Sequence, residues 1–428
     1  MIISLKRIKR KALINPIFWL MVSWSLILGL YFFSGIEYSQ NISSNTIIYV
    51  SVSLITYIVS FYYGTIINSR IIRRNILTSK ELRINTKVLF IPAMIGSFIW
   101  IIEIYRLNEV LFGQRIENFR ISLLGVLGYI FLSISLVIWL LELTYSLRYG
   151  SYIRFHGIVS AIIFLIPSVI TAGRQSILII IVSSTIIMLY SLRFKIPYNI
   201  RRSFKIVIVC LIAMITIYLI YISDVRSGVS NKIALFEYIL GSTTSQDTIN
   251  FANLFGPFKD LIMEGLYYYS HELPMFEVFF REYDGPKFLG FFQFHYIGRR
   301  LPISWGLNYD NAWYYIDLMS ERNDLYSHVW RTALSSIIVD FGRIGAQIYI
   351  SILGILSGRV YNNYNKSETS YNFVLLAIIC TGVIFSIQYS PFNETGWAYP
   401  LFWILLLPLM QRFKIIRIRG NNVTLGNN

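Results

Sequence analysis

Long apolar stretches recur along the whole chain and limit its fold more than any other feature. A helix needs about 20 apolar residues to cross a bilayer, and stretches of about that length repeat through the sequence. Ten of them are predicted to be transmembrane helices: 14–34, 46–66, 87–105, 121–144, 156–172, 175–192, 205–223, 342–360, 371–389 and 397–411. Because 55% of the residues are hydrophobic and only 14% are charged, the composition agrees with this pattern. The sequence predicts an all-α polytopic membrane protein.

Lysines and arginines are concentrated on one side of the predicted topology. They occur in the N-terminal "KRIKRK", between spans 2 and 3, between spans 6 and 7, and in the C-terminal "QRFKIIRIRG". The opposite short loops contain only Arg106, Arg115, Arg120 and Arg174. Since short cytoplasmic loops collect Lys and Arg, both termini are predicted to be cytoplasmic. The net charge of +16 is therefore attributed to topology, and nucleic acid is not expected as a partner.

Residues 224–328, between spans 7 and 8, differ from the rest of the chain. They contain eight Lys/Arg and thirteen Asp/Glu, a net charge of −5, against +21 for the remainder. Twenty-three of these 105 residues are aromatic, so a folded extracytoplasmic domain is predicted rather than a disordered loop. The predicted organisation is a seven-span membrane domain at 1–223, this loop at 224–328, and a return helix with three spans at 329–428.

The aromatic clusters of this loop have two interpretations. They could pack against the membrane surface as an interfacial belt, or they could stack on sugar rings, and the two roles can coexist. Trp305, Trp313 and Tyr314 are the candidates for glycan contact.

Arg174 lies in "TAGRQ", the short connection between spans 5 and 6. At a helix end it could extend its side chain toward lipid phosphates. Alternatively, it could hold the phosphates of a lipid-linked substrate as a bidentate clamp. Further cations are predicted on the same side: Arg299, Arg300, Arg331 and Arg343.

Asp340 and Arg343 are three residues apart and would share one face of a continuous helix, as in a structural ion pair. Gly342 and Gly345 favour another interpretation, in which the helix breaks. Residues 329–340 then form a short interfacial helix, and span 8 begins at 342. The sequence contains none of the motifs G-x-S-x-G, G-x-x-x-x-G-K-[ST], H-E-x-x-H, C-x-x-C or D-x-D, and its two cysteines, Cys210 and Cys380, lie inside predicted spans. We therefore expect no metal and no cofactor.

Taken together, these features resemble the oligosaccharide repeat-unit polymerases, the Wzy-type O-antigen or capsule polymerases. The resemblance is carried by the ten spans, the arginine in "GRQSIL" at 173–178 between two mid-chain helices, the large aromatic loop and "W-x-x-x-L…DFGRIG" at 330–345. It implies a GT-C-like helical fold in the bacterial inner membrane. The implied activity transfers a growing glycan from undecaprenyl pyrophosphate to the non-reducing end of another lipid-linked repeat unit, with a Wzz-type chain-length regulator as a candidate partner. An O-antigen ligase acting on lipid A core, or a non-enzymatic flippase or exporter, is the alternative.

An acceptor hydroxyl needs a base within reach in such a reaction. The candidates are His328, the pair His271 and Glu272, and Asp340. A structural role is also open for each of them, and the sequence does not rank them.

Overall fold

The computed structural model describes residues 14–67, 84–106, 122–170, 174–191, 232–323 and 332–412. The first elements are α1 Pro16–Phe33, β1 Ile36–Tyr38, α2 Ser44–Ile66, α3 Thr86–Arg106, α4 Leu123–Leu132, α5 Ile134–Tyr149, α6 Phe155–Ile170 and α7 Gln175–Ser191. The large loop contains α8 Lys232–Leu240, β2 Ser242–Thr244, α9 Gln246–Asn253, α10 Lys259–Ser270, α11 Glu272–Glu282, α12 His295–Gly298 and α13 Tyr309–Arg322. The last elements are α14 Thr332–Lys366, α15 Ser370–Phe385 and α16 Thr395–Arg412.

Nine of the ten predicted spans coincide with apolar helices. Helices α1, α2, α3 and α14, and the continuous stretch of α4 and α5, are long and apolar enough to cross a membrane, which makes five candidate spans. Shorter apolar helices occur at α6, α7, α15 and α16. The remaining predicted span, span 7 at 205–223, lies outside the described residues. The helices indicate a multi-pass membrane protein, as the sequence predicts.

Small residues bring α2 and α14 into close contact. A side-chain carbon added at Gly358 would lie 2.0 Å from the carbonyl oxygen of Phe61, and one at Gly354 would lie 2.6 Å from that of Tyr57. Such backbone approach is how helices associate in lipid, where no hydrophobic force drives them together. The contact fixes the position of α14, which carries part of the site described below.

Helix α14 is interrupted at Gly342. This residue has φ +68° and ψ 176°, a conformation that a helix does not contain and that favours glycine. The break separates residues 332–341 from the apolar part of the helix, so the predicted break is confirmed. Asp340 and Arg343 consequently have different partners and do not form the alternative ion pair.

Residues 232–323 cover one end of the helix bundle, which we call the loop face. Strands β1 and β2 form an antiparallel ladder in which Ile36 is paired with Thr244. The backbone N–H of Ser43, before α2, donates to Glu277 of α11 over 2.8 Å. Leu20 and Trp24 of α1 also share a hydrophobic core with residues of α11, among them Phe276. The loop is therefore packed onto the bundle as part of the same folded body.

Candidate functional site

Three segments that are far apart in the sequence meet on the loop face. They are the turn at 288–299, the connection at 386–394 between α15 and α16, and the start of α7 after Arg174. Hydrogen bonds of buried polar side chains join the turn to the connection, and α7 approaches them through Ser176, which lies beside Gly396.

Asp340 anchors the turn to α14. Its carboxylate, which is fully buried, accepts the backbone N–H groups of Phe292 at 2.9 Å and Gln293 at 3.0 Å. The helix break at Gly342 leaves the carbonyls of residues 339 and 340 free, and these accept the N–H groups of residues 288 and 289 at 3.2 and 2.9 Å. Asp340, a candidate base from the sequence, is thus occupied by backbone donors and holds the turn in place.

Gln293 and Asn393 join the turn to the 386–394 connection. The buried Gln293 side-chain oxygen accepts the hydroxyls of Ser390 at 2.6 Å and Tyr349 at 3.2 Å. The Asn393 amide, oriented according to its partners, donates to the carbonyls of Gln293 at 2.8 Å and Phe292 at 2.9 Å. Because these bonds hold Asn393 against the turn, they also fix the position of the next residue in the chain.

That residue is Glu394, which sequence reasoning missed. It is buried immediately before α16, and one of its oxygens accepts the N–H of Gly396 at 3.0 Å. Burial raises the pKa of its carboxyl to about 7, although the Gly396 N–H partly opposes the shift. The sequence did contain a signal, because Glu394 is the only acidic residue after Glu368 and lies between the last two predicted spans.

Aromatic side chains surround Glu394 and connect it to Arg299. Burial raises the pKa of Tyr296 to about 12, and the charge of Glu394 contributes a smaller rise. The ring of Tyr296 is 5.8 Å from that of Tyr399, which lies in the first two turns of α16. Glu394 is therefore enclosed by residues from the turn and from the bundle.

Arg299 supplies an exposed cation beside this group. Its guanidinium carbon lies 4.7 Å from the centre of the Tyr309 ring, a cation–π geometry. Burial and, to a smaller extent, the charge of Arg299 lower the pKa of His295 to about 3, so its imidazole is uncharged at physiological pH. The neighbouring Arg300 is also exposed.

Arg174 forms an ion pair with Glu264 of α10, through its NH1 nitrogen. Both side chains are largely buried, and the Arg174 Nε lacks a hydrogen-bond partner among the described residues. Two residues later, Ser176 lies beside the connection, since its hydroxyl oxygen is 3.6 Å from the position of a carbon added at Gly396. The start of α7 thus packs beside the start of α16, and the Arg174 guanidinium contacts a carboxylate of the protein.

His271 and Glu272, the two adjacent residues predicted as candidate catalytic bases, lie between α10, α11 and α14. The Nδ1 nitrogen of His271 is 2.6 Å from the carbonyl oxygen of Tyr267. Glu272 is fully buried and accepts the N–H of Thr332 at 2.9 Å. Burial raises the pKa of Glu272 well above its ordinary value, although the Thr332 N–H partly opposes the shift. The pair approaches the 386–394 connection through Tyr269, whose side chain is hydrogen-bonded to Gln388 and whose pKa is raised by burial and, to a smaller extent, by Glu272.

The remaining candidates are distributed over the loop. Arg343 is exposed, donates to the carbonyl of Phe280 and lies 5.1 Å from its ring centre. Trp305 and Tyr314 are exposed, whereas Trp313 packs on the ring of Phe292 at 6.0 Å. His328 and Arg331 lie outside the described residues.

Within the described ranges, no group of three or more His, Cys, Asp or Glu side chains could hold a metal ion. Comparisons of the chain with protein-family models, curated proteins and solved structures give no match. The chemistry of the site therefore has to be argued from its own residues.

Proposed function

We propose that this protein polymerises lipid-linked oligosaccharide repeat units at the outer surface of a bacterial inner membrane. The loop face is then extracytoplasmic, both termini are cytoplasmic, and the ten spans form a GT-C-like bundle. The observation that carries the proposal is that the buried Glu394 follows a residue hydrogen-bonded to the turn at 288–299, which also carries Tyr296 and the exposed Arg299, at one end of an apolar helix bundle. A base and a cation at a membrane surface suit a substrate whose leaving group is a lipid pyrophosphate.

In the proposed reaction an acceptor sugar hydroxyl attacks the anomeric carbon of the donor glycan. A carbon–oxygen bond forms there, and the bond from the same carbon to the pyrophosphate oxygen breaks, so that the lipid pyrophosphate leaves with the electron pair. The hydroxyl proton passes to Glu394. A carboxyl with a pKa of about 7 suits this role, because it is partly ionised at neutral pH and is a stronger base than an ordinary glutamate.

The leaving pyrophosphate develops negative charge that must be stabilised. Arg299 and Arg300 are adjacent and exposed at the end of α12, and a guanidinium binds phosphate oxygens in a bidentate manner. These arginines would supply the positive charge that a divalent ion supplies in many glycosyl transfers. Arg174 stays a predicted phosphate ligand, which would require that it exchange Glu264 for the substrate.

Glycan binding is assigned to the exposed aromatic residues of the loop. Trp305 and Tyr314 present their rings to solvent, and such rings stack on the C–H faces of sugars. Trp313 is packed against Phe292 and Tyr309, so we expect it to support the surface and not to bind a sugar directly.

The test is complementation of a strain in which the gene is deleted. We expect the deletion strain to display single repeat units only, and the wild-type gene to restore the ladder of chain lengths. Glu394→Gln should lose the ladder at normal membrane abundance, whereas Glu321→Gln, which changes an exposed acid of the 232–323 loop, should keep it.

Three results would contradict the proposal. A full ladder from the Glu394→Gln variant would show that Glu394 is not the catalytic base. Long lipid-linked polymers that are never joined to their acceptor in the deletion strain would identify a ligase. Repeat units trapped on the cytoplasmic side would identify a flippase or exporter.

A further inference from the structure

Helix α9 and the turn that follows it expose an apolar surface, which we call the apolar tip. The tip consists of Phe251, Leu254, Phe255 and Phe258. Leu254 is 81% exposed and Phe251 is 51% exposed, although their neighbour Ala252 is completely buried. The rings of Phe251 and Phe255 pack edge to face at 5.3 Å, so they form one continuous surface.

The same helix has a polar side. Gln246, Asn250 and Asn253 are exposed and project from α9 in a direction different from that of Phe251. Thr248 and Ala252 form the side that is buried against the protein. Asp247 is exposed one turn before Phe251 on the same side, so the apolar edge is confined to the end of α9 and the turn that follows it, beside the polar edge of Gln246, Asn250 and Asn253.

The position of α9 relative to the first candidate span is fixed by hydrogen bonds. The Thr248 hydroxyl donates to the carbonyl of Ser34 at 2.6 Å, and the N–H of Ser245 donates to the carbonyl of Gly35 at 2.8 Å. Ser34 directly follows α1, whose final residue, Phe33, is 88% exposed. The apolar tip therefore lies at the level where α1 leaves the bilayer.

We propose that the apolar tip inserts into the lipid headgroup region on the loop face and anchors the loop to the membrane. The partner is the bilayer surface, because the tip lies beside the apolar end of α1, which faces lipid. Amphipathic segments with aromatic residues on the apolar edge bind in this manner, with the polar edge toward water. The proposal does not depend on the proposed function.

The anchor would also fix the position of the ion pair between Arg174 and Glu264. Helix α10 begins at Lys259, directly after the tip, and carries Glu264, the partner of Arg174. Insertion of the tip would fix the start of α10 at the membrane surface and so hold this pair at the same level.

The experiment uses nitroxide labels on the full chain in lipid nanodiscs. Cys210 and Cys380 are replaced by alanine, and single cysteines are introduced as Leu254→Cys and Phe255→Cys on the tip. The matched controls are Gln246→Cys and Asn250→Cys on the polar edge of the same helix. The relative accessibility of each label to oxygen and to Ni-EDDA is then measured, and size-exclusion chromatography identifies variants that remain folded.

We expect oxygen to be favoured over Ni-EDDA at 254 and 255, as in lipid, and Ni-EDDA to be favoured at 246 and 250. Equal accessibility to Ni-EDDA at all four positions would overturn the proposal, because the tip would then be in water. Protection from both reagents at 254, with spin–spin broadening that disappears on dilution with unlabelled protein, would also overturn it and identify a second copy of the chain as the partner.

Discussion

The guanidinium of Arg174 donates to the carboxylate of Glu264, and this ion pair joins the start of α7 to α10 of the loop. The side chains are 17% and 9% exposed, so the pair is only partly screened by solvent. We expect Arg174→Ala to lower the free energy of unfolding by about 2 to 3 kcal/mol, because it leaves a carboxylate largely buried without its cation. Thermal unfolding in detergent measures this change.

The exposed pair Arg281 and Glu282 is the matched control for that prediction. Its side chains are 53% and 40% exposed, so Arg281→Ala should cost less than about 1 kcal/mol. If Arg174→Ala unfolds like the wild type and yet shortens the glycan, Arg174 acts on the substrate and the pair is not its main role.

The pKa of Glu394 predicts a pH dependence of activity. The base must be ionised, so the polymerisation rate should fall as the pH decreases through about 7. Glu394→Asp should keep part of the activity with a shifted profile, and Glu394→Gln should remove the activity across the whole range. A rate that does not change between pH 5.5 and 8.5 would contradict the assignment, and Glu321→Gln, which should retain the wild-type profile, is the control.

The carboxyl of Glu394 should also make the free energy of unfolding depend on pH. Stability should fall as the pH rises, whereas activity should rise. Its folded-state pKa is raised from 4.5 to about 7, so its protonated form is favoured by folding. The stabilisation is fully present below the unfolded pKa and is lost as the pH rises through the folded pKa. As the pH rises from the unfolded pKa to the folded pKa, the free energy of unfolding of the wild type should fall by up to about 3 kcal/mol relative to that of Glu394→Gln. The basis is about 1.4 kcal/mol for each pKa unit.

Asp340 is expected to act by positioning the turn. Asp340→Asn replaces one acceptor oxygen with an amide that faces a backbone N–H, so at least one bond to Phe292 or Gln293 is lost. Loss of a hydrogen bond to a buried charged group costs about 1.5 to 3 kcal/mol, and the unfolding temperature should fall accordingly. Asp284→Asn, at an exposed acid of the 232–323 loop, should have no such effect, and equal unfolding temperatures for both variants would contradict this role.

Gly358 should be intolerant of a side chain. A methyl group there would lie 2.0 Å from the carbonyl oxygen of Phe61, which forces α2 and α14 apart and should cost about 1 to 3 kcal/mol. Gly29→Ala in α1 is the matched control, since nothing lies within 4 Å of its added carbon. Unfolding by heat in the same detergent compares the two, and equal stability would mean that the close packing is not required.

The sequence predicted the elements better than it predicted the site. Apolar stretches are local signals, so the spans and the break at Gly342 could be located from composition and spacing alone. The partner of Arg174 could not be found in this manner, because Glu264 is 90 residues away along the chain. Glu394 was missed because its burial arises only when the 386–394 connection packs against the turn at 288–299, a contact between segments about 100 residues apart.

The most direct test of the polymerase account is reconstitution of the purified protein in liposomes with its lipid-linked repeat unit and excess chelator. The account predicts a ladder of lipid-linked polymers, with one lipid pyrophosphate released for each new glycosidic bond and no other protein required. The ladder should be absent with Glu394→Gln and present with Glu321→Gln. Movement of intact repeat units across the bilayer without new bonds, or activity that returns only when one divalent ion is added, would contradict it.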